Sequence, residues 1–409
     1  MLMKKFKSFI LGLVNVYCRE FKLVTHDIGI MLFLLFLPLA YPIIYSLIYN
    51  PELVKDVPLV VVDNDRTPLS RELVRNIDAC DEARVLGYAA DLPEAKKAMD
   101  SHKAFAILEI PDGFAKKIGR SEQGNAVLYS DMTLLLRFRG FLMATTNVMM
   151  EMGSELMTKD INLVAPLAET IAVEDPLPMN YIPMGNIRSG FDSFIMPGVL
   201  ILILHQCIVL AIGMAGGARR ESRYLVGYNP HNNMKSVAGT MLGQILCYIT
   251  ILVIPMIFLI HYVPLMFRFP MAGSLAEEMV YLLPMVLGAF GIGYVFQAFV
   301  TERESVFVSW VVTSVMFLLL SGLIWPHYDM IGIWRYLADA LPSTWGVTGF
   351  IKIASNGATI SQISGEFESL WIVSLVWLLL GYITQRFVVY PSIYGRKSEV
   401  RNRATVAEI

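Results

Sequence analysis

Six long apolar runs punctuate this chain: Ile28–Tyr49, Phe194–Met214, Val237–Ile260, Met279–Val300, Val306–Ile324 and Leu370–Tyr390. A helix rises about 1.5 Å per residue, so roughly 20 apolar residues cross the hydrocarbon core of a bilayer. The first run has no charged residue at all. It starts late and lacks a small-residue cleavage site, so it reads as an anchor and not as a removable signal peptide. Before it, residues 1–27 mix Lys4, Lys5 and Lys7 with an amphipathic stretch, VYCREFKLVTHD, which suits a helix lying along the inner membrane surface.

Between the first two runs the hydrophobic period changes. Val57–Asp63, Phe105–Ile110 and Ala126–Tyr129 read as strands, and Ser70–Ala79, Leu92–Asp100 and Gly113–Ile118 read as helices. This alternation predicts a small α/β layer with its own core. Within VVDNDRTPLSREL, Asp63, Asn64 and Asp65 form a turn after a strand, and Pro68 opens a helix. A cation at Asp63 and Asp65 is the weaker alternative to turn chemistry. A long helix follows over Leu134–Ala165, with Met143, Met149, Met150, Met152 and Met157 on it and Met132 just before it. Those methionines suit either core packing or an adaptable apolar surface. The proline-rich residues 166–185 then read as an extended return to the membrane.

Ser321–Ile353 is apolar but broken. Asp329, Arg335, Asp339 and Lys352, with Pro326 and Pro342, stop it reading as a span, and it holds Trp325, Trp334 and Trp345 out of six tryptophans. It reads as a re-entrant segment over residues 325–353 or an interfacial helix pair, against the alternative of an ordinary loop. Trp325, Pro326, Pro342 and Trp345 are its candidate gate residues.

Charge adds orientation. Pro51–Gly185 carries 14 Lys and Arg against 21 Asp and Glu, whereas the remainder carries 19 against 14. Placing both termini in the cytoplasm puts fifteen basic residues in the inner connections and tails and only three, Arg268, Arg335 and Lys352, in the short outside segments. The expected plan is therefore a helical polytopic membrane protein of six transmembrane helices with an inserted α/β extracytoplasmic domain. Its divisions are residues 1–27 as an inner interfacial helix, 28–49 as the first span, 50–190 outside, 191–390 as the remaining spans, and 391–409 as a cytoplasmic tail.

No basic tract of the kind that binds nucleic acid is present, and the four cysteines show no metal-ligand spacing. Phosphate-loop, HExxH, GxSxG and GxGxxG motifs are missing from the sequence, so neither a catalytic residue nor a cofactor is expected. His205, Gln206, Gln244 and Gln297 lie in apolar runs, where polar groups line a pathway or bond between helices. Gly213 with Gly217, and Gly239 with Gly243, predict close approach of the second and third spans. Between them Arg219, Arg220, Glu221 and Arg223 begin a short charged piece that suits a cytoplasmic partner. Glu302 and Glu304, in the other short inner loop, are expected beside it.

Four stretches together resemble the ABC-2 type permeases, the membrane subunits of ATP-driven exporters. They are VPLVVVDNDRTPLSRELVRNIDA with AFAILEIPDGFAKKI and VLYSDMT, FIMPGVLILIL, ARRESRYL, and SGLIWPHYDMIGIWRYLADALPSTWGVTGFIKI. The resemblance implies a separate ATPase subunit coupled through Arg219, Arg220, Glu221, Arg223 and Tyr224. It implies pairing with a second copy or a related permease, around a pathway between the two sets of first five spans. An apolar or amphipathic substrate would move outward across a bacterial inner membrane, with a periplasmic adaptor and outer-membrane channel as further partners. The sequence departs from the family in lacking Gly-Thr after Glu221. A membrane receptor or scaffold with an outside ligand-binding domain is the competing class, and a membrane enzyme a third.

Overall fold

The computed structural model describes residues 2–49, 54–120, 122–133, 135–164, 186, 190–226 and 237–391. The chain divides into a helical unit, residues 1–50 and 183–409, and an α/β unit, residues 51–182.

Among its described residues the helical unit contains six helices long and apolar enough to cross a membrane: Ile28–Tyr49, Phe191–Arg220, Val237–Phe267, Leu275–Phe296, Arg303–Leu320 and Ser364–Val389. They are numbered as spans in that order. The second is the axle, with 89% of its most apolar window buried, against 17% for the fifth and 22% for the first and sixth. Its helix runs without a break to Val226, well past the expected Met214. The fourth span starts at Leu275, earlier than expected, because Ser274 caps it by accepting from the Glu277 amide at 3.3 Å. Pro326 does not end the fifth span. The helix stops at Leu320, and Gly322, with φ +80, turns the chain first.

Three spans contain a widened π turn: Leu32–Phe36, Phe258–Tyr262 and Gln385–Val389. Each holds the carbonyl four residues before a proline, at Pro38, Pro264 and Pro391. Proline has no amide to give that carbonyl and its ring crowds it, so the extra residue relieves the clash.

The glycine pairs serve partners other than the expected ones. A Cβ on Gly213 would meet Val306 of the fifth span at 2.4 Å, and one on Gly217 would meet the Arg303 backbone at 2.7 Å. Gly243 of the third span admits Val16 of the N-terminal helix Leu2–His26. Small residues therefore seat the fifth span's entry loop on the second span, and the N-terminal helix on the third.

Beyond the fifth span the chain forms a turn at His327–Asp329, a short helix Gly332–Asp339 and a second helix Pro342–Asn356. The short helix is amphipathic, and its Ile333 and Tyr336 are exposed. The second helix is not peripheral: Thr344, Val347, Phe350 and Ile353 are buried, packed against the second and fourth spans.

In the α/β unit, strands β1 (Val57–Asp63), β2 (Ala83–Tyr88), β3 (Ala106–Ile110) and β4 (Val127–Ser130) form one sheet in the order β2-β1-β3-β4. β1 pairs in parallel with β2 and β3, while β4 runs antiparallel to β3. β1 is central and covered on both faces, which is why it reads as a nearly unbroken apolar run. Leu59 and Val61 face a core with Leu73, Ile77 and Phe141, and Val60 and Val62 face Ala95 and Ile107. Of the methionines on the long helix Leu135–Val164, Met149 and Met152 pack inward, whereas Met143 and Met150 are exposed. The side chain of Met157 lies outside the described residues.

Asp63 and Asp65 do turn chemistry. Asp63 accepts from the amides of Asp65 and Arg66 at 3.1 and 2.9 Å and from the Ser70 hydroxyl at 2.8 Å. Asp65 accepts from Thr67 Oγ1 at 2.6 Å and from the Ala115 amide at 3.2 Å. Replacing Asp63 with Ala leaves the Asp65 and Arg66 amides unpaired and takes one acceptor from the buried Ser70 hydroxyl, a loss of about 2 kcal/mol. Limited proteolysis of the full chain in detergent across a urea series should show the α/β unit opening earlier in Asp63→Ala. Ser70→Ala, which removes the hydroxyl bonded to Asp63 Oδ2 and to the Thr67 carbonyl and amide but keeps both amide bonds to Asp63, should also open earlier than the unaltered chain.

Candidate functional site

The N-terminal helix packs on the third span through one face, and in the middle of that face stands Glu20, only 4% exposed. A lone buried carboxylate would be costly. Here its Oε1 pairs with Arg219 Nη1 of the second span at 2.5 Å and accepts from Tyr248 Oη at 2.8 Å. Oε2 accepts from Gln244 Nε2 at 3.3 Å. Two neutral donors thus supplement the ion pair, the condition under which a buried pair is tolerated.

The network continues inward. Tyr294 of the fourth span donates to Gln244 Oε1 at 3.1 Å. Gln297, which caps that span, donates to the Ile212 carbonyl at 2.6 Å and accepts from Gln385 of the sixth span at 2.8 Å. Gln385 also reaches the Tyr294 carbonyl at 3.2 Å. Five elements are thereby joined: the N-terminal helix and the second, third, fourth and sixth spans.

A second clamp holds the fifth span's entry. Asp27 caps the first span, accepting from the Gly29 and Ile30 amides, and its Oδ2 lies 2.9 Å from Arg303 Nη1. Arg220 donates to the Val300 carbonyl. The loop carrying Glu302 and Glu304 is therefore fixed against the second span, with both carboxylates exposed.

Arg219 and Arg220 are thus engaged within the protein rather than displayed. The side chains of Glu221, Arg223 and Tyr224 lie outside the described residues, although the helix continues beneath them to Val226. Gln244 and Gln297 both make interhelical hydrogen bonds. Among the gate candidates, Trp325 is exposed, Pro326 precedes the His327–Asp329 turn and Pro342 opens the buried helix. Trp345 donates to the Asp339 carbonyl at 2.9 Å, and its own carbonyl accepts from Tyr281 at 2.8 Å.

His205 and Gln206 differ from the other polar groups. His205 is fully buried edge-on to Phe317, and Gln206 is 7% exposed; neither side chain has a hydrogen-bond partner among the described residues. Gln206 lines a cavity of about 530 Å³ between the first, second and fifth spans. Tyr41, Tyr45 and Tyr49 form a ladder down one wall at four-residue spacing, with Tyr41 and Tyr45 hydroxyls 2.8 Å apart. Trp310 of the fifth span also lines the cavity. The tyrosine spacing was readable in YPIIYSLIY; Tyr248, Tyr294 and Gln385 had no signal beyond being polar groups in apolar surroundings, and Glu20 read as one charge in a mixed amphipathic stretch.

Glu20→Gln takes the carboxylate from the buried Glu20–Arg219 pair, a loss of about 3 kcal/mol. Thermal unfolding in detergent should show a large drop for Glu20→Gln and for Arg219→Met. The double variant Glu20→Met with Arg219→Met should recover most of it, because no uncompensated charge then remains.

A search among curated proteins returned no match. A family model described as ABC-2 family transporter protein matches residues 28–383, from the start of the first span to nearly the end of the sixth. The match covers most of the chain, and this protein therefore belongs to the ABC-2 family of transporter membrane proteins.

Proposed function

We propose that this chain is the permease subunit of an ATP-driven exporter, moving an apolar or amphipathic molecule out of the cytoplasm or inner leaflet. A separate ATPase supplies the energy, and no catalytic residue of this chain is required. The observation that carries the reading is the buried network on Glu20. With the Asp27–Arg303 and Arg220–Val300 clamp beside it, it makes the N-terminal helix, the second-span extension and the entry loop of the fifth span one mechanical piece. An ATPase pressing on the Arg219–Val226 extension, flanked by exposed Glu302 and Glu304, would move that piece against the rest of the bundle.

In this reading the termini are cytoplasmic, the α/β unit is outside, and two permeases pair around the pathway. The α/β unit is then the surface for a periplasmic adaptor. The cavity between the first, second and fifth spans supports a pathway there, with Gln206 on its wall.

Two experiments test the proposal. Arg223→Glu combined with Glu304→Lys should abolish co-purification with the ATPase while leaving membrane insertion and thermal stability unchanged; retained association removes the coupling surface. For sidedness, Cys18 is exposed on the N-terminal helix and Cys80 is partly exposed in the α/β unit. In single-cysteine variants an impermeant maleimide added to intact cells should label Cys80 and spare Cys18. Burial, and then the nearby carboxylates of Glu82, Glu151 and Asp81, raise the Cys80 thiol above its ordinary pKa. Its labelling should therefore be slow at neutral pH and accelerate as pH rises.

A further inference from the structure

The cavity between the first, second and fifth spans is bordered by polar side chains that have no hydrogen-bond partner among the described residues. Both amide atoms of Gln206 and the indole Nε1 of Trp310 lack any hydrogen-bond partner among the described residues. Gln206 is 93% buried, and both side chains border the same space. A buried donor left unpaired is costly, and native structures rarely tolerate it without an occupant. Here two such donors, an amide NH₂ and an indole N–H, come from different spans.

The rest of the wall limits what the occupant is. None of the described lining residues is charged, so an ion entering the cavity would lose its hydration without a counter-charge. Tyr41 and Tyr45 use their hydroxyls on one another and present ring surface. Aromatic and aliphatic walls with a few convergent polar groups are the usual make-up of a small-molecule site.

We infer that this cavity is a binding subsite for an uncharged, largely aromatic or aliphatic molecule carrying a hydrogen-bond acceptor, which Gln206 and Trp310 hold together. The inference deepens the permease reading and rests on it for the molecule's fate. It separates this site from a simple lipid-filled crevice, because an acyl chain offers no acceptor to either donor. Gln206 and Trp310 are then specificity-determining residues, and the tyrosine ladder supplies shape and apolar contact.

Three small probes of matched body test it: benzophenone, with a carbonyl acceptor; diphenylmethane, without one; and diphenylacetate, which is anionic. Each is equilibrated with the full chain in lipid nanodiscs, with uptake by empty nanodiscs subtracted. Benzophenone should bind about tenfold more tightly than diphenylmethane, the value of one well-made hydrogen bond. Diphenylacetate should bind no better than diphenylmethane. Gln206→Leu and Trp310→Phe should each bring the benzophenone to diphenylmethane ratio close to one, with melting temperature held or raised because an unpaired polar group has been removed. Irradiation of bound benzophenone should cross-link the wild type at cavity residues. Equal binding of the first two probes, or cross-links scattered over the lipid-facing spans, would overturn the inference and leave the cavity to acyl chains. Binding is read without any ATPase. Acceptor-dependent binding with no nucleotide-driven movement would thus count against the permease reading alone, and nucleotide-driven export with no cavity binding against the subsite alone.

Discussion

A carboxylate and a guanidinium held almost out of contact with solvent set the terms for one end of the helical unit. Neither Glu20 nor Arg219 can be buried alone, so the two elements carrying them must stay together. Tyr248 and Gln244 complete the carboxylate's shell, which commits the third span. Gln244 in turn needs Tyr294, and the Gln297–Gln385 bond adds the sixth span. The arrangement is cooperative in the strict sense that each group's partner is itself positioned by another member. A surface ion pair between the same residue types would impose nothing comparable.

The packing around that network follows from side-chain size. The second span is buried all round, so neighbours approach it from several directions, and glycine appears where backbone must come close. Gly213 and Gly217 accept the fifth span's entry, and Gly293 of the fourth span accepts Ile212. The fourth and sixth spans meet so closely at Gly291 that a Cβ there would lie 2.4 Å from the Trp377 backbone. The first, fifth and sixth spans stand at the margin and keep broad apolar faces exposed, as helices bordering lipid do.

The spans were legible because an uninterrupted apolar run has few other readings, and β1, β3 and β4 because short apolar runs lay between turn signals. β2 was missed: ARVLGY, with Arg84 and Gly87, carries little strand signal, and it pairs only because β1 offers a free edge. Small-xxx-small spacing correctly announced close contacts but not which helix makes them, since spacing along one helix says nothing about the partner's identity. Arg219 and Arg220 read as a displayed basic cluster because a sequence shows the charge and hides Glu20, 199 residues away in the chain. Gln244 and Gln297 left two readings open for the same reason, and only the three-dimensional partners favour interhelical bonding over a pathway wall.

Gln206 and Arg219 stand on the same span, and that placement links the cavity to the network. Thirteen residues separate them along one continuous helix, about 20 Å at the usual rise. No proline falls between the two positions. Gly213, Gly216 and Gly217 do, but neighbours packed against the helix on nearly all sides limit its local bending. Rotation imposed where Arg219 meets Glu20 is passed along this helix toward Gln206, whereas Tyr41 and Trp310 stand on the first and fifth spans, which that end holds only at their entries, Asp27 and Arg303. The two unpaired donors at the cavity, Gln206 on the second span and Trp310 on the fifth, would then separate or converge as the network end turns. That is the geometry by which a site built across two helices changes its affinity without any change in its own residues.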